Sequence, residues 1–256
     1  MRRVAIVGGA GRMGQAVARG LNDDGDVNVI ALIDVHEPRE LFAATYFARL
    51  DELDASLVDV VVDFSAPDVV VTTAHWCALH RVPLIIGTTG LSVDQRAAVY
   101  EASQTTGIIM ASNFSLGAVL ADRFARMAAP YFARVEIVEL HHDRKADAPS
   151  GTSLTTARAI SEARAAAGRA AMVDSTTHHT VAGARGAEGD GGVRIHSVRL
   201  PGLVAHQEIL FGGPGEGLTI RHDSFDRQSF VQGVALAVRS VQPGPGLTLG
   251  IDSFVH

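Results

Sequence analysis

Val4-Ala5-Ile6-Val7-Gly8-Gly9-Ala10-Gly11-Arg12-Met13-Gly14 opens on four apolar residues, three of them β-branched, and runs straight into glycines. A short apolar run of this composition ending in glycine reads as a buried strand, and the residues after Gly14 return to helical spacing. The glycines can be read as G-x-x-G-x-x-G from Gly8 or as G-x-G-x-x-G from Gly9. Either spacing lets backbone approach a pyrophosphate at the positive end of a helix, so Gly8, Gly9, Ala10, Gly11, Arg12, Met13 and Gly14 are candidate cofactor contacts. Glycine turns between strand and helix are common, and the cluster alone is weak.

The next apolar run, Val27–Ile33, ends at Asp34, about twenty residues past Gly14, where a carboxylate can accept hydrogen bonds from ribose hydroxyls. An acid there repels a 2′-phosphate, and Val35 beside it offers no positive charge. This favours NADH slightly, while Arg12, His36 and Arg39 keep NADPH open. Further strands are expected at Val58–Phe64, Pro83–Gly87 and Ile108–Ala111, with helices between them. That rhythm is a doubly wound, Rossmann-like parallel sheet of the α/β class. Ligands of such sheets bind beyond the carboxyl ends of strands, which adds Gly87, Thr88, Thr89, Ala111, Ser112, Asn113 and Phe114 as candidate cofactor contacts.

After Asn113 the pattern changes. A helix is expected over Ser115–Met127, a strand over Val135–Leu140 and a helix over Gly151–Ala167. Ala182–Gly192, rich in glycine, reads as a mobile loop, followed by strands at Val193–Val198, Val204–Phe211 and Leu218–His222. Phe225–Val241 is helical in spacing, and the tail Leu247–Val255 could pack back on the first domain. The expectation is a dinucleotide-binding domain of residues 1–113 completed by 224–256, and a second α+β domain of residues 114–223 with a mixed or antiparallel sheet.

Bulk properties exclude several classes. A formal charge of −6 over 256 residues gives no basic field for nucleic acid. No window nears the ~18 uninterrupted apolar residues of a membrane span. The run after Arg2 and Arg3 ends in glycine rather than continuing as a signal-peptide core. The single cysteine, Cys77, lies in an apolar stretch that reads as a buried helix and permits no internal disulfide. Together these point to a cytoplasmic protein.

The densest chemistry lies in His141-His142-Asp143-Arg144-Lys145-Ala146-Asp147-Ala148-Pro149-Ser150-Gly151-Thr152. It leaves a strand and enters a helix. Ser150 fits an N-cap, so the amides of Gly151 and Thr152 would meet a carboxylate at a positive helix end. Of 22 basic side chains, 21 are arginine, and Lys145 is the one lysine. Arginine cannot give up a proton in a protein and lysine can, so the distinction matters where a proton moves. His141 or His142 can supply or accept a proton near neutrality. The bland reading of each alone is solvated surface; the combination points to protonation of a carboxylated substrate. Metal binding by His141 and His142 is disfavoured, because neighbours on a strand point to opposite faces. His178 and His179 have the same problem and receive no role.

These residues resemble a known family. GGAGRMG, DFS at Asp63–Ser65, GTTG, NFS at Asn113–Ser115, HHDRKADAPSGT and the later RGAEGDGGVRIHSVRLPGLVAHQEILF are similar to 4-hydroxy-tetrahydrodipicolinate reductase over nearly the whole chain. The resemblance implies hydride transfer from NAD(P)H to a cyclic imine bearing two carboxylates, in lysine and diaminopimelate biosynthesis. It implies His141 as proton donor or acceptor, Lys145 as proton donor, and His142, Ser150, Gly151 and Thr152 as substrate contacts. It also implies a homotetramer built through the second domain's sheet, and domain closure over substrate. Val35 departs from the basic residue the family often has there, and Ser112 from its common proline.

Among other enzymes, a short-chain dehydrogenase needs Tyr-x-x-x-Lys, and none of Tyr46, Tyr100 or Tyr131 has a lysine four residues on. A methyltransferase would share the glycine loop but not explain Lys145. A non-catalytic NAD(P)H sensor is the alternative from another class.

Overall fold

In a computed structural model that describes residues 1–255, the opening stretch forms strand β1 (Arg2–Val7) and helix α1 (Arg12–Asn22). The chain continues through β2 (Val27–Ile33), β3 (Thr45–Phe47), β4 (Val60–Asp63), α2 (Pro67–His80), β5 (Leu84–Ile86), α3 (Val93–Ala102) and β6 (Gly107–Met110). Next come α4 (Leu116–Ala128), β7 (Arg134–His141), α5 (Gly151–Ala166), β8 (Ala187–Glu188), β9 (Arg194–Arg199), β10 (Ala205–Gly213) and β11 (Glu216–Ser224). The last elements are α6 (Val231–Ser240) and β12 (Gly246–Leu249).

Two compact units result, residues 1–116 with 227–256, and residues 117–226. The first holds a seven-stranded sheet in the order β12-β6-β5-β4-β1-β2-β3 with every pairing parallel. Its strands are apolar on both faces because helices cover both: Ala5, Val7, Val61 and Leu84 belong to the core around α2 and α3, and Ile6, Leu32 and Ile85 are equally buried. Cys77 sits fully buried in α2, and burial pushes its thiol well up. The Arg2 guanidinium donates to the Val238 and Val241 carbonyls, fastening the end of α6 beside β1. β12 pairs with β6, so the tail is a strand of this sheet.

The second unit carries a mixed sheet in the order β11-β10-β7-β9-β8, with β7 and β9 parallel and the other pairs antiparallel. Ile137, Ile195, Ile209 and Phe211 face a core shared with Ala157 and Ile160 of α5. No helix among the described residues is long and apolar enough to cross a membrane.

Two features differ from the sequence expectation. The loop expected over Ala182–Gly192 takes up regular structure in its second half: β8 pairs with β9, a 3-10 turn spans Asp190–Gly192, and the Met172 amide donates to the Gly191 carbonyl at 2.8 Å. The helix expected from Phe225 starts later, because β11 runs on to Ser224 and a 3-10 turn at Arg227–Phe230 precedes α6.

Candidate active site

Strand order in the first unit reverses between β1 and β4, which makes the crevice beyond their carboxyl ends the expected ligand position. Gly8 follows β1 with φ of +82°, and a Cβ there would lie 2.5 Å from the Phe64 carbonyl oxygen. A Cβ on Gly14 would lie 2.1 Å from the Gly8 carbonyl oxygen. Packing therefore demands glycine at both ends of the loop, which matches the spacing read from Gly8. Gly11 is the N-cap of α1 and offers no side chain to cap it. The first helical amide with a partner is that of Gln15, at 2.9 Å from the Gly11 carbonyl. Those of Arg12, Met13 and Gly14 have none among the described residues. Unpartnered amides at a positive helix end suit a phosphate.

Asp34 stands beside this loop. Its Oδ2 accepts from the Ala10 amide at 3.0 Å and its Oδ1 from the His36 amide at 3.1 Å. The carboxylate thus braces the loop and keeps lone pairs for hydroxyl donors. Val35 is 80% exposed; His36 and Arg39 just after it, and Arg12 of the glycine turn, are exposed as well.

A cleft of about 370 Å³ in this unit is lined by Met13, Gly87, Thr88, Thr89, Ser112, Asn113 and Phe114, all expected. Sequence reasoning missed Phe64, Ser65, Ala66 and Pro67 after β4, and Phe230 before α6. Ala111, also expected, is buried and does not line this cleft, and its amide donates to the Ile86 carbonyl as an extension of the sheet. Asn113 spends its Oδ1 on the Ser115 amide at 2.9 Å, leaving the Nδ2 donor. Beneath lies fully buried Asp63, whose Oδ1 accepts from the Ser65 amide, the Ser65 hydroxyl at 2.6 Å and the Thr88 hydroxyl at 2.8 Å. It ties together two of the loops that line the cleft.

The second unit assembles the other candidates at the end of β7. His141 is half-buried, and its Nδ1 lies 2.5 Å from Glu139 Oε2. Glu139 is completely buried and takes both Arg199 Nη atoms, at 2.9 and 2.8 Å. Arg199 also donates to the Asp147 carbonyl at 2.7 Å, and Lys145 Nζ donates to Asp147 Oδ1 at 2.7 Å. His142 follows the strand and is exposed. Neither Glu139 nor Arg199 was singled out from sequence. The signal for Glu139 was present, since residues two apart on a strand share a face.

Ser150 caps α5: its Oγ accepts from the Ser153 amide at 3.2 Å. It is 2% exposed and also bonded to Ser153 Oγ, so its place is within the helix end rather than at the surface a substrate would touch. Ser153 in turn donates to Gln207 Oε1 at 2.7 Å and Gln207 donates to Thr156, pinning this helix end to β10. The Gly151 and Thr152 amides have no partner among the described residues, both residues are exposed, and a Cβ on Gly151 would meet nothing within 4 Å.

Electrostatics follow from these contacts. Burial lowers the His141 pKa, against the raising effect of Glu139, with Lys145 and Arg199 adding to the depression. Burial pushes Glu139 up, but hydrogen bonds from Arg199, Ser197 and His141 together hold it below its ordinary value. Asp147 is lowered first by the hydrogen bond from Lys145.

Two family models match the chain end to end: dihydrodipicolinate reductase N-terminus over residues 2–114 and dihydrodipicolinate reductase C-terminus over residues 117–254. With the parallel sheet and its glycine turn, this makes the chain an NAD(P)H-dependent oxidoreductase. It belongs to the dihydrodipicolinate reductase family. The 4-hydroxy-tetrahydrodipicolinate reductase of Beutenbergia cavernae is 48% identical and that of Nocardia farcinica 46%, each match covering 99% of this chain and 98% of the relative. Among solved structures, the dipicolinate-bound dihydrodipicolinate reductase of Paenisporosarcina sp. TG-14 is 38% identical, with a TM-score of 0.86 and 99% of each chain covered.

Proposed function

We propose that the chain reduces 4-hydroxy-tetrahydrodipicolinate, or dihydrodipicolinate formed from it by loss of water, to tetrahydrodipicolinate with NAD(P)H, a step of lysine and diaminopimelate biosynthesis. One observation carries this reading. The lone lysine and a half-buried histidine share one hydrogen-bonded network, and the helix that follows them opens with two unpartnered amides facing open space.

The residues of the first unit fit a dinucleotide. The α1 amides and the glycine turn would hold the pyrophosphate, Asp34 the ribose, and the loops at residues 87–89 and 112–114 the nicotinamide side. NADH and NADPH are both accepted in this reading. NADH is slightly favoured, because Asp34 repels a 2′-phosphate and Val35 does not offset it, while Arg12, His36 and Arg39 keep NADPH within reach. When bound, the cofactor would supply a hydride to C4 of the conjugated imine, the ring carbon that loses the hydroxyl as water, and the electron pair moves to the imine nitrogen.

The second unit's residues do the rest. Gly151 and Thr152 amides bind a substrate carboxylate, with His142 as a further contact. Ser150 acts by capping the helix that presents them. Negative charge developing on the imine nitrogen requires a proton, which Lys145 Nζ donates; His141 Nε2 donates or accepts in support. Residues 1–116 with 227–256 serve as the dinucleotide domain, and 117–226 as the domain for substrate and oligomerisation.

The sheet face turned away from α5 carries Val138, Leu140, Val198 and Leu210 among Glu136, Glu208, His196 and Arg221, as strand alternation places them. A homotetramer would bury this face, and light scattering of the purified protein checks the mass. The single cysteine is free and buried, which fits action in the cytoplasm.

The test follows NADH and NADPH oxidation by absorbance, with substrate generated from pyruvate and aspartate semialdehyde by a coupled synthase. Oxidation that depends on both precursors is expected. Cofactor binding without turnover would replace this reading with a non-catalytic sensor.

A further inference from the structure

Beside the Ser197 side chain, three nitrogen donors converge on Glu139: His141 Nδ1 at 2.5 Å and the two Arg199 Nη atoms at 2.9 and 2.8 Å. The carboxylate has no exposed surface, and the Arg199 side chain is 18% exposed. Burying such a pair costs desolvation that hydrophobic packing of the same volume would avoid, so stability alone is a poor reason for it. Its geometry supplies a better one. A carboxylate can only accept from a neutral imidazole, so Nδ1 must carry the proton and Nε2 is left with its lone pair free. Arg199 Nη2 also holds the Asp147 carbonyl at 2.7 Å, and Asp147 Oδ1 holds Lys145 Nζ at 2.7 Å.

We propose that Glu139 and Arg199 are positioning residues, Glu139 fixing the His141 tautomer with Nε2 outward and Arg199 tying the Lys145 segment to the same carboxylate. This rests on the reading of His141 and Lys145 as the proton-handling pair. The two roles separate. Glu139 sets which nitrogen of His141 is free and stabilises its charged form, whereas Arg199 sets where Lys145 stands. The charged groups acting on His141 are Glu139 on its own strand, Arg199 on β9 and Lys145 on the following segment; opposite it on β10 stands Ala205.

Glu139→Gln keeps the shape and removes the charge, and its amide can donate to Nδ1, moving the proton to Nε2. Turnover should fall by about 10²–10⁴-fold, the range of a lost acid–base contribution, with NADH affinity unchanged. The His141 limb of the pH–rate profile should move to lower pH, because a group that raised the imidazole pKa is gone. Arg199→Lys keeps a positive charge but cannot span both carboxylate oxygens and the Asp147 carbonyl. It should lower kcat while leaving the tautomer unchanged. Imidazole ¹⁵N shifts of histidine-labelled protein report the tautomer without any turnover: Nδ1–H in the wild type and the Arg199→Lys variant, Nε2–H in Glu139→Gln. A wild type with Nε2–H overturns the proposal, as does a folded Glu139→Gln enzyme with wild-type turnover and pH profile. If Glu139→Gln does not fold, wild-type turnover by Arg199→Lys overturns it instead. An inactive wild type with the Nδ1–H tautomer would defeat the functional reading and leave the Glu139 contact standing.

Discussion

Gly151→Ala separates folding from substrate binding. Gly151 is the first residue of α5 and is exposed, and an added Cβ meets no atom within 4 Å. Steric cost to the fold is therefore nil, and alanine is favoured over glycine in a helix interior by up to about 1 kcal/mol, with a smaller effect in the first turn. The thermal midpoint should hold or rise slightly. Binding should respond in the opposite sense. In a helix the Cα–Cβ bond tilts toward the N-terminus, so the methyl leans into the space in front of the Gly151 and Thr152 amides. A carboxylate seated there would lose at least one charge-assisted hydrogen bond, about 1.5–3 kcal/mol. That converts to a rise of about 10- to 150-fold in KM. Steady-state kinetics beside a melting curve measure the two effects together. A variant that melts like the wild type and keeps its KM would refute the placement of a carboxylate at this helix end.

Lys145→Ala should lower kcat by about 10²–10⁴-fold while NADH binding, followed by fluorescence, stays as it was. Asp34→Ala should shift the ratio of kcat/KM for NADH and NADPH toward NADPH; an unchanged ratio would remove Asp34 from cofactor choice. Stability should fall as pH drops, in two stages. His141 and His222 have folded pKa values below the ordinary 6.5, so the unfolded chain takes up protons first and stability declines below about pH 6.5. Glu136 and Glu139 are also lowered and Asp174 is held at about 2, so their contribution, full above the ordinary carboxylate range, is lost on further acidification. Melting temperatures measured from pH 8 to pH 3 check both stages, and a midpoint that rises between pH 7 and 5.5 would contradict the histidine assignment.

Much of the first unit was legible because its strands are near-continuous apolar runs ending in glycine or acid, as at Val4–Val7 and Val27–Ile33. β3 and β8 were not, being three and two residues long, too short for any periodicity. On the site, Lys145 stood out by composition and Ser150 by its capping position, local properties of the chain. Arg199 could not be found that way. Its place opposite His141 follows from the β7–β9 register, which joins residues 58 apart. Phe230 reaches the cleft from a 3-10 turn far along the chain for the same reason.

The pairing of β12 with β6 has a consequence for how the chain is made. The strands of the second sheet, β7 to β11, all leave the ribosome before residue 246. The first sheet waits with β6 as an open edge until Gly246–Leu249 emerges. Synthesis runs from the N-terminus at about 5–20 residues per second, so the inserted unit has its whole sequence while the unit enclosing it is still incomplete. The β6 edge, Gly107-Ile108-Ile109-Met110, is until then a short apolar template open to other nascent chains, and the pairing of Gly246–Leu249 is what closes it.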